Sequence, residues 1–215
     1  PGPRDAAGMI DETAEEIREM QTHSSSVVAI KAANALRDLL DRDFATVEEY
    51  ERALERNGSA LRRANPSHAS LQNAVREVVG AVTEGEFESV DDAKERTAAT
   101  IDEVVDTIEA GKHRAAENAA AWLEDGMTIL THDYSSTVLE AVDLAVSDGT
   151  YLEAYVTEAR PRYLGRKTVR ALAEMDRVEA HLLVDSASGY YLDRCDAVVV
   201  GMDCIVEDTL YNRVG

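Results

Sequence analysis

The sequence predicts an α/β protein in which an all-helical N-terminal domain, residues 1–88, is joined by one long helix, 89–125, to a Rossmann-like parallel-sheet C-terminal domain, 126–215. Three observations carry this. The first half places apolar residues at helical spacing throughout. From Gly126 the period changes, and four short apolar runs, Thr128–Leu130, Ala154–Val156, Ala180–Val184 and Ala197–Val200, each stop at a polar cluster: THDYSS, TEARPR, DSASGY and MDCIVED. Helical patterns separate the runs, and strand-helix-strand alternation implies crossover connections and a parallel sheet.

Taken in order, Ile10, Thr13, Ile17 and Met20 form a first helical stripe, and Val27 to Leu39 a second, entered through Ser24-Ser25-Ser26, whose hydroxyls suit unpaired helix N–H groups. Thr46-Val47-Glu48-Glu49 reads as a capping box, and Asn57-Gly58 as the stop of the helix it opens. Pro66 sets off another amphipathic segment, Leu71 to Val82. Ser89 opens the longest pattern, which ends at Gly126; about 35 helical residues span some 50 Å, with a kink expected near Gly111. In the second half, helices are expected over 135–147 and 166–175, with a short one after DSASGY. Four strands are few, so the sheet is expected to continue past Gly215.

Charge narrows the function classes. The 42 acidic residues outnumber the 22 basic ones, for a net charge of -20, and Lys31, Lys94, Lys112 and Lys167 are the only lysines. Such a surface does not suit nucleic acid. With 45% hydrophobic residues the chain has a core to bury, so the acidic residues belong to a solvated face, as expected of a protein adapted to high intracellular salt. Two cysteines and no signal-like or membrane-spanning segment point to the cytoplasm. Cys195 and Cys204 read as packed small hydrophobes, and the five histidines show no metal-ligand spacing, so neither metal nor cofactor is expected.

If the runs are parallel strands, their four clusters meet along one sheet edge, where open α/β sheets bind ligands. His132 and Asp133 end the first strand and Ser135 opens the following helix, a place that suits phosphate or carboxylate or simply caps the helix. Glu158, Arg160 and Lys167 belong to a cation-rich second cluster, and arginine forks match phosphate. Asp185 and Ser186 lie in a third cluster of small residues that lets a ligand approach backbone. Asp203, after the fourth strand, is a candidate acid/base carboxylate.

At these clusters the sequence resembles the translation initiation factor 2B alpha/beta/delta family, which includes ribose-1,5-bisphosphate and methylthioribose-1-phosphate isomerases. ILTHDYSSTVLEAV is similar to I-L-T-H-x-Y-S-x-x-V-L, VTEARPRYLGRK to V-T-E-x-R-P-x-x-x-G-x-K, and LLVDSASGYYL carries D-S-A-x-G-Y. VVVGMDCIVED followed by YNRVG is similar to V-G-A-D-x-I followed by N-K-I-G-T, and ALRRANPSHASLQNAVREV to R-P-T-x-x-x-L-x-N-A-V-R, with Asn65 before Pro66 as a departure.

The resemblance implies a helical N-terminal domain, a linking helix, a Rossmann-like domain and homo-oligomers formed through the C-terminal half. It implies that the isomerases use a cysteine directly after T-H and an aspartate in G-A-D as acid and base. Asp203 matches the aspartate, while Asp133 stands in the cysteine's place; His23-Ser24-Ser25-Ser26 stands where the isomerases carry Arg-Gly-Ala. From these departures the expectation is a non-catalytic subunit, similar to those of initiation factor 2B, that binds a phosphosugar or nucleotide and meets initiation factor 2 subunits. Its ligand would be held by His132, Ser135, Glu158, Arg160, Lys167, Asp185, Ser186, Asn212 and Arg213. The alternative is an aldose-ketose isomerase of ribose 1,5-bisphosphate or a related sugar phosphate, with Asp133 and Asp203 moving the protons.

Overall fold

A computed structural model describes residues 7–19 and 23–212. Met20 and Arg213, both invoked above, lie outside the described residues. The chain divides into two compact units, Pro1–Glu109 and Ala110–Gly215.

The first unit is helical among its described residues: α1 (Ala7–Glu19), α2 (Ser25–Ala35), α3 (Val47–Ala64), α4 (Ala69–Thr83) and the first part of α5 (Val90–Ala120). Its core joins Ile10 and Ile17 of α1 to Val28, Leu36, Tyr50, Leu54, Leu61 and Ile101, all essentially without solvent exposure. The Tyr50 hydroxyl, buried with its pKa raised by desolvation, donates to Thr97 Oγ1 at 2.7 Å, so the core holds its phenol without an unmet polar group. Local chemistry sets the helix starts. Glu49 N–H donates to Thr46 Oγ1 at 3.2 Å, and Glu49 Oε2 accepts from Ala45 N at 2.8 Å, one residue earlier than a capping box prescribes. His68 Nδ1 accepts from Leu71 N at 3.2 Å and so caps α4.

Three local expectations are corrected. Ser24 is the N-cap of α2 but its side chain makes no capping bond; its hydroxyl lies 3.3 Å from that of Ser26. Helix α3 does not stop at Asn57-Gly58 but runs on to Ala64. Gly58 is buried there, and a Cβ on it would meet Val79 Cγ2 at 2.7 Å; the glycine serves close packing of α3 on α4 rather than a turn. Helix α5 runs through Gly111 without interruption.

The second unit carries β1 (Met127–His132), α6 (Ser136–Ser147), β2 (Leu152–Thr157), α7 (Gly165–Ala173), β3 (Val178–Leu183), a 3-10 turn (Asp185–Ala187), α8 (Ser188–Leu192) and β4 (Ala197–Val198). The four strands form one sheet in the order β3-β2-β1-β4, and every pair is parallel. Ile129, Leu152, Ala154 and Val156 pack with Val142 and Ala145 of α6 and Leu172 of α7, so both helices cover the same sheet face. The mixed helix and parallel-sheet class expected from the sequence is therefore present.

Strand β4 is shorter than the run Ala197–Val200 suggests. After it the chain turns into an antiparallel hairpin, β5 (Cys204–Val206) and β6 (Thr209–Tyr211), which takes up the cluster MDCIVED. The apolar side chains of Ile205, Val206 and Leu210 are exposed on it. Among the described residues no helix is long and apolar enough to cross a membrane.

Candidate functional site

Because the strands are parallel, the residues following β1, β2, β3 and β4 share one edge of the sheet. His132, the last residue of β1, is in register with Thr157, the last of β2, and their Nδ1 and Oγ1 atoms lie 2.6 Å apart. Asp133 follows with φ 62 and only 3% exposure. Aspartate tolerates this left-handed conformation better than most residues. Its carbonyl accepts from the Thr168 hydroxyl of α7 at 2.7 Å, which fixes the turn between β1 and α6. Ser135 then caps α6, its Oγ accepting from Val138 N at 3.3 Å.

The second loop is built around two carboxylates. Glu158, buried, accepts from Arg160 Nε at 2.6 Å and from Arg166 Nη2 at 3.1 Å. The Arg160 guanidinium, aided by Arg166, holds the Glu158 carboxyl below its ordinary value, while Glu158 pushes the Arg160 guanidinium further up. Asp185, after β3, accepts from Ala159 N at 2.8 Å and Arg160 N at 2.7 Å, tying the β2 loop to the end of β3. Helix α7 starts hard against the same edge. A Cβ on Gly165 would lie 1.9 Å from the Thr157 carbonyl oxygen, so only glycine permits the approach. Two residues on, Lys167 Nζ sits 4.0 Å from the centre of the Tyr134 ring.

The fourth loop reaches the first through Gly201, where an added Cβ would come within 2.6 Å of Ser135 Oγ. Asp203 is two residues beyond Gly201, half-buried at the base of the hairpin, its N–H donating to the Tyr211 carbonyl at 2.9 Å. Asp133 is two residues before Ser135. One close approach thus links the segments that carry the two aspartates.

The edge brings together His132, Asp133, Ser135, Glu158, Arg160, Lys167 and Asp185, but it gives several of them work other than ligand contact. Ser135 is a cap, Asp185 clamps backbone, and Arg160 is charge-paired. Ser186 is exposed in the 3-10 turn and Asn212 is exposed after β6. Sequence reasoning missed Thr157 and Thr168, which orient the edge, and counted Arg166 only among the cations of the second cluster rather than as a partner of Glu158. The glycines nearby, Gly165 and Gly201, were the available signal: Gly165 opens α7, Gly201 follows β4, and each sits where a side chain has no room. Among the described residues no cluster of three or more His, Cys, Asp or Glu side chains could hold a metal ion.

The sequence model of the initiation factor 2 subunit family matches residues 21–215. This chain belongs to that family. Within it, ribose 1,5-bisphosphate isomerase from Haloterrigena turkmenica is 34% identical over 216 residues, covering 100% of this chain and 64% of that protein. Its namesake from Haloferax volcanii is 33% identical over 94% of this chain and 62% of its own length. This chain thus spans somewhat less than two thirds of these relatives. Among solved structures, translation initiation factor eIF-2B from Pyrococcus horikoshii superposes with a TM-score of 0.79 at 25% identity, over 92% of this chain and 67% of that one. The 5-methylthioribose 1-phosphate isomerase of the same organism shares the fold, with a TM-score of 0.76 at 20% identity over 91% and 58% of the two chains.

These relatives overturn one expectation. The departures at Asp133 and at His23-Ser24-Ser25-Ser26 led to a binding subunit without catalysis, but the family members matched across the chain at 28–34% identity carry the name of an isomerase. The isomerase alternative fits these relatives better than the binding subunit does.

Proposed function

We propose that this chain catalyses aldose-ketose isomerisation of ribose 1,5-bisphosphate or a related sugar phosphate, with Asp133 and Asp203 as the acid/base pair. The observation that carries the proposal is the Gly201–Ser135 approach, which draws the segment bearing Asp203 to the turn bearing buried Asp133. The matched relatives named ribose 1,5-bisphosphate isomerase supply the substrate class.

The reaction needs two groups in opposite protonation states. One carboxylic acid protonates the ring oxygen as the C1–O4 bond breaks, while the other, ionised, removes the C2 proton to give an enol. A proton then returns to C1 as the C2 hydroxyl becomes the ketone, so atoms and charge balance without a redox partner. Paired carboxylates in one site divide such work when their environments push them apart, and general acid/base groups contribute about 10²–10⁴-fold each. Lys167 and His132 would receive a phosphate at the edge, with Arg160 and Arg166 released from Glu158 as it binds. The folded chain would work as a homo-oligomer through its second unit, at high salt. Residues 1–88, 89–125 and 126–215 would be its helical, linking and Rossmann-like parts.

The test is conversion of ribose 1,5-bisphosphate by the full chain in concentrated KCl, followed by NMR of the ketose carbon. Ketose formation lost in Asp203→Asn supports the proposal; absence of ketose with the wild-type chain refutes it.

A further inference from the structure

Helices α3 and α4 form a hairpin in which Arg62 Nε donates to Gln72 Oε1 at 2.8 Å near the turn, while Gly58 faces Val75 and Val79 further along. Between them lies a groove of about 740 Å³. Arg56, Arg62, Arg63 and Arg76 line it, over a floor that includes Gly58, Val75 and Val79. Only two carboxylates, Glu55 and Glu84, share the lining. The chain as a whole has 42 acidic residues against 22 basic ones, so the groove's four arginines to two glutamates reverse the charge balance locally.

These arginines differ from those at the sheet edge in what holds them. Arg62 is oriented by a neutral amide, that of Gln72, whose Nε2 in turn donates to the carbonyls of Arg62 and Asn65 at 2.8 and 3.1 Å. Arg76 Nη1 lies 3.3 Å from the amide oxygen of Asn73. Amides aim a guanidinium without neutralising it. Among the described residues, none of the four forms an ion pair, whereas Arg160 and Arg166 are both paired with Glu158.

We infer that this groove binds a small molecule carrying two linked phosphoryl groups, a diphosphate, each phosphoryl taken by a pair of guanidinium forks. Bidentate arginine contacts are the strong, geometry-specific way to hold phosphate. The volume falls in the range of small-ligand sites, about 300–1,000 Å³. A long polyanion such as nucleic acid is disfavoured by the net charge of -20. Gly80 leaves the lining open, because a Cβ there would meet nothing nearer than Glu84 Oε1 at 3.6 Å. The inference stands on the first unit alone and does not depend on the isomerase reading.

The test is calorimetric titration of inorganic pyrophosphate into the full chain at about 0.15 M and about 1 M KCl, where the Debye length falls from about 8 to about 3 Å. Wild type is expected to bind at both salts, since contact-distance forks survive screening. The double variant Arg63→Gln, Arg76→Gln should bind at least about tenfold more weakly, the equivalent of about 1.4 kcal/mol. Gly80→Leu, which fills the groove without removing any of its charges, should weaken binding similarly, and Gly80→Ala should not. Circular dichroism of each variant verifies the fold. The inference is overturned if wild type gives no heat of binding or if the double variant binds as wild type. Loss of affinity in Lys167→Gln with the groove variants unaffected would move the pyrophosphate to the sheet edge and overturn it too. So would displacement of pyrophosphate by a glutamate-rich peptide at lower concentration, which would make the groove a protein-docking site.

Discussion

Arginines meet two different environments in this chain. At the sheet edge Arg160 and Arg166 lie on the buried Glu158 carboxylate, and Asp185 takes the backbone N–H groups beside them, so the cations there are already answered by the protein. In the α3/α4 groove Arg62 and Arg76 are aimed by the amides of Gln72 and Asn73, and their charge is left for something else. The same residue type thus builds a loop in one unit and offers a binding surface in the other. A count of arginines per segment does not separate these roles; the nearest carboxylate does.

The two regions can be set apart by mutation. The largest effect is expected at the edge, where Asp133→Asn and Asp203→Asn should each lower ketose formation by about 10²–10⁴-fold, measured under saturating sugar phosphate. Next comes Gly165→Ala. Its Cβ would sit 1.9 Å from a backbone oxygen, which cannot swing aside, so a loss of about 3 kcal/mol is expected in urea unfolding of the second unit. In the first unit the matching change, Gly58→Ala, meets a valine methyl at 2.7 Å. There overpacking is partly offset by better helix propensity, and a net loss of about 1 kcal/mol is expected.

Glu158→Gln sharpens the contrast through pH. The folded-state pKa of Glu158 is lowered, so the stability it contributes is fully present above the unfolded value of about 4.3 and is lost as pH falls through the folded value. Wild type should therefore melt at a higher temperature than the variant at neutral pH, and the difference should shrink progressively below about pH 4. The smallest effect is expected at Gly80→Ala, which has room for its Cβ and should stabilise the chain by about 0.5–1 kcal/mol, read from the same urea midpoints.

Much of the fold was legible because its signals are periodic. The four apolar runs located β1, β2 and β3 closely, and the shift from helical spacing to strand alternation at Gly126 marked the change of structure. Helix α3 was cut short at Asn57-Gly58 because a glycine that allows two helices to touch looks, in sequence, like one that ends a helix. The hairpin after β4 was missed for a related reason: Cys204-Ile205-Val206 and Thr209-Leu210-Tyr211 are each too short to show a period. At the site, single residues such as His132, Asp133 and Glu158 were legible from their place at strand ends. The contacts that orient them were not, since Thr157 to His132, Thr168 to Asp133 and Asp185 to Ala159 join residues 25 to 35 apart in sequence.

The proposed isomerisation turns on a carboxylate pair that takes a proton from C2 and returns one, exchanged with solvent, to C1 of the sugar. Ribose 1,5-bisphosphate incubated with the wild-type chain in D2O should give ketose carrying deuterium at C1, visible by NMR, with Asp133→Asn and Asp203→Asn each giving almost none. Ketose formed at an undiminished rate by either variant, or no ketose from the wild type, would contradict it.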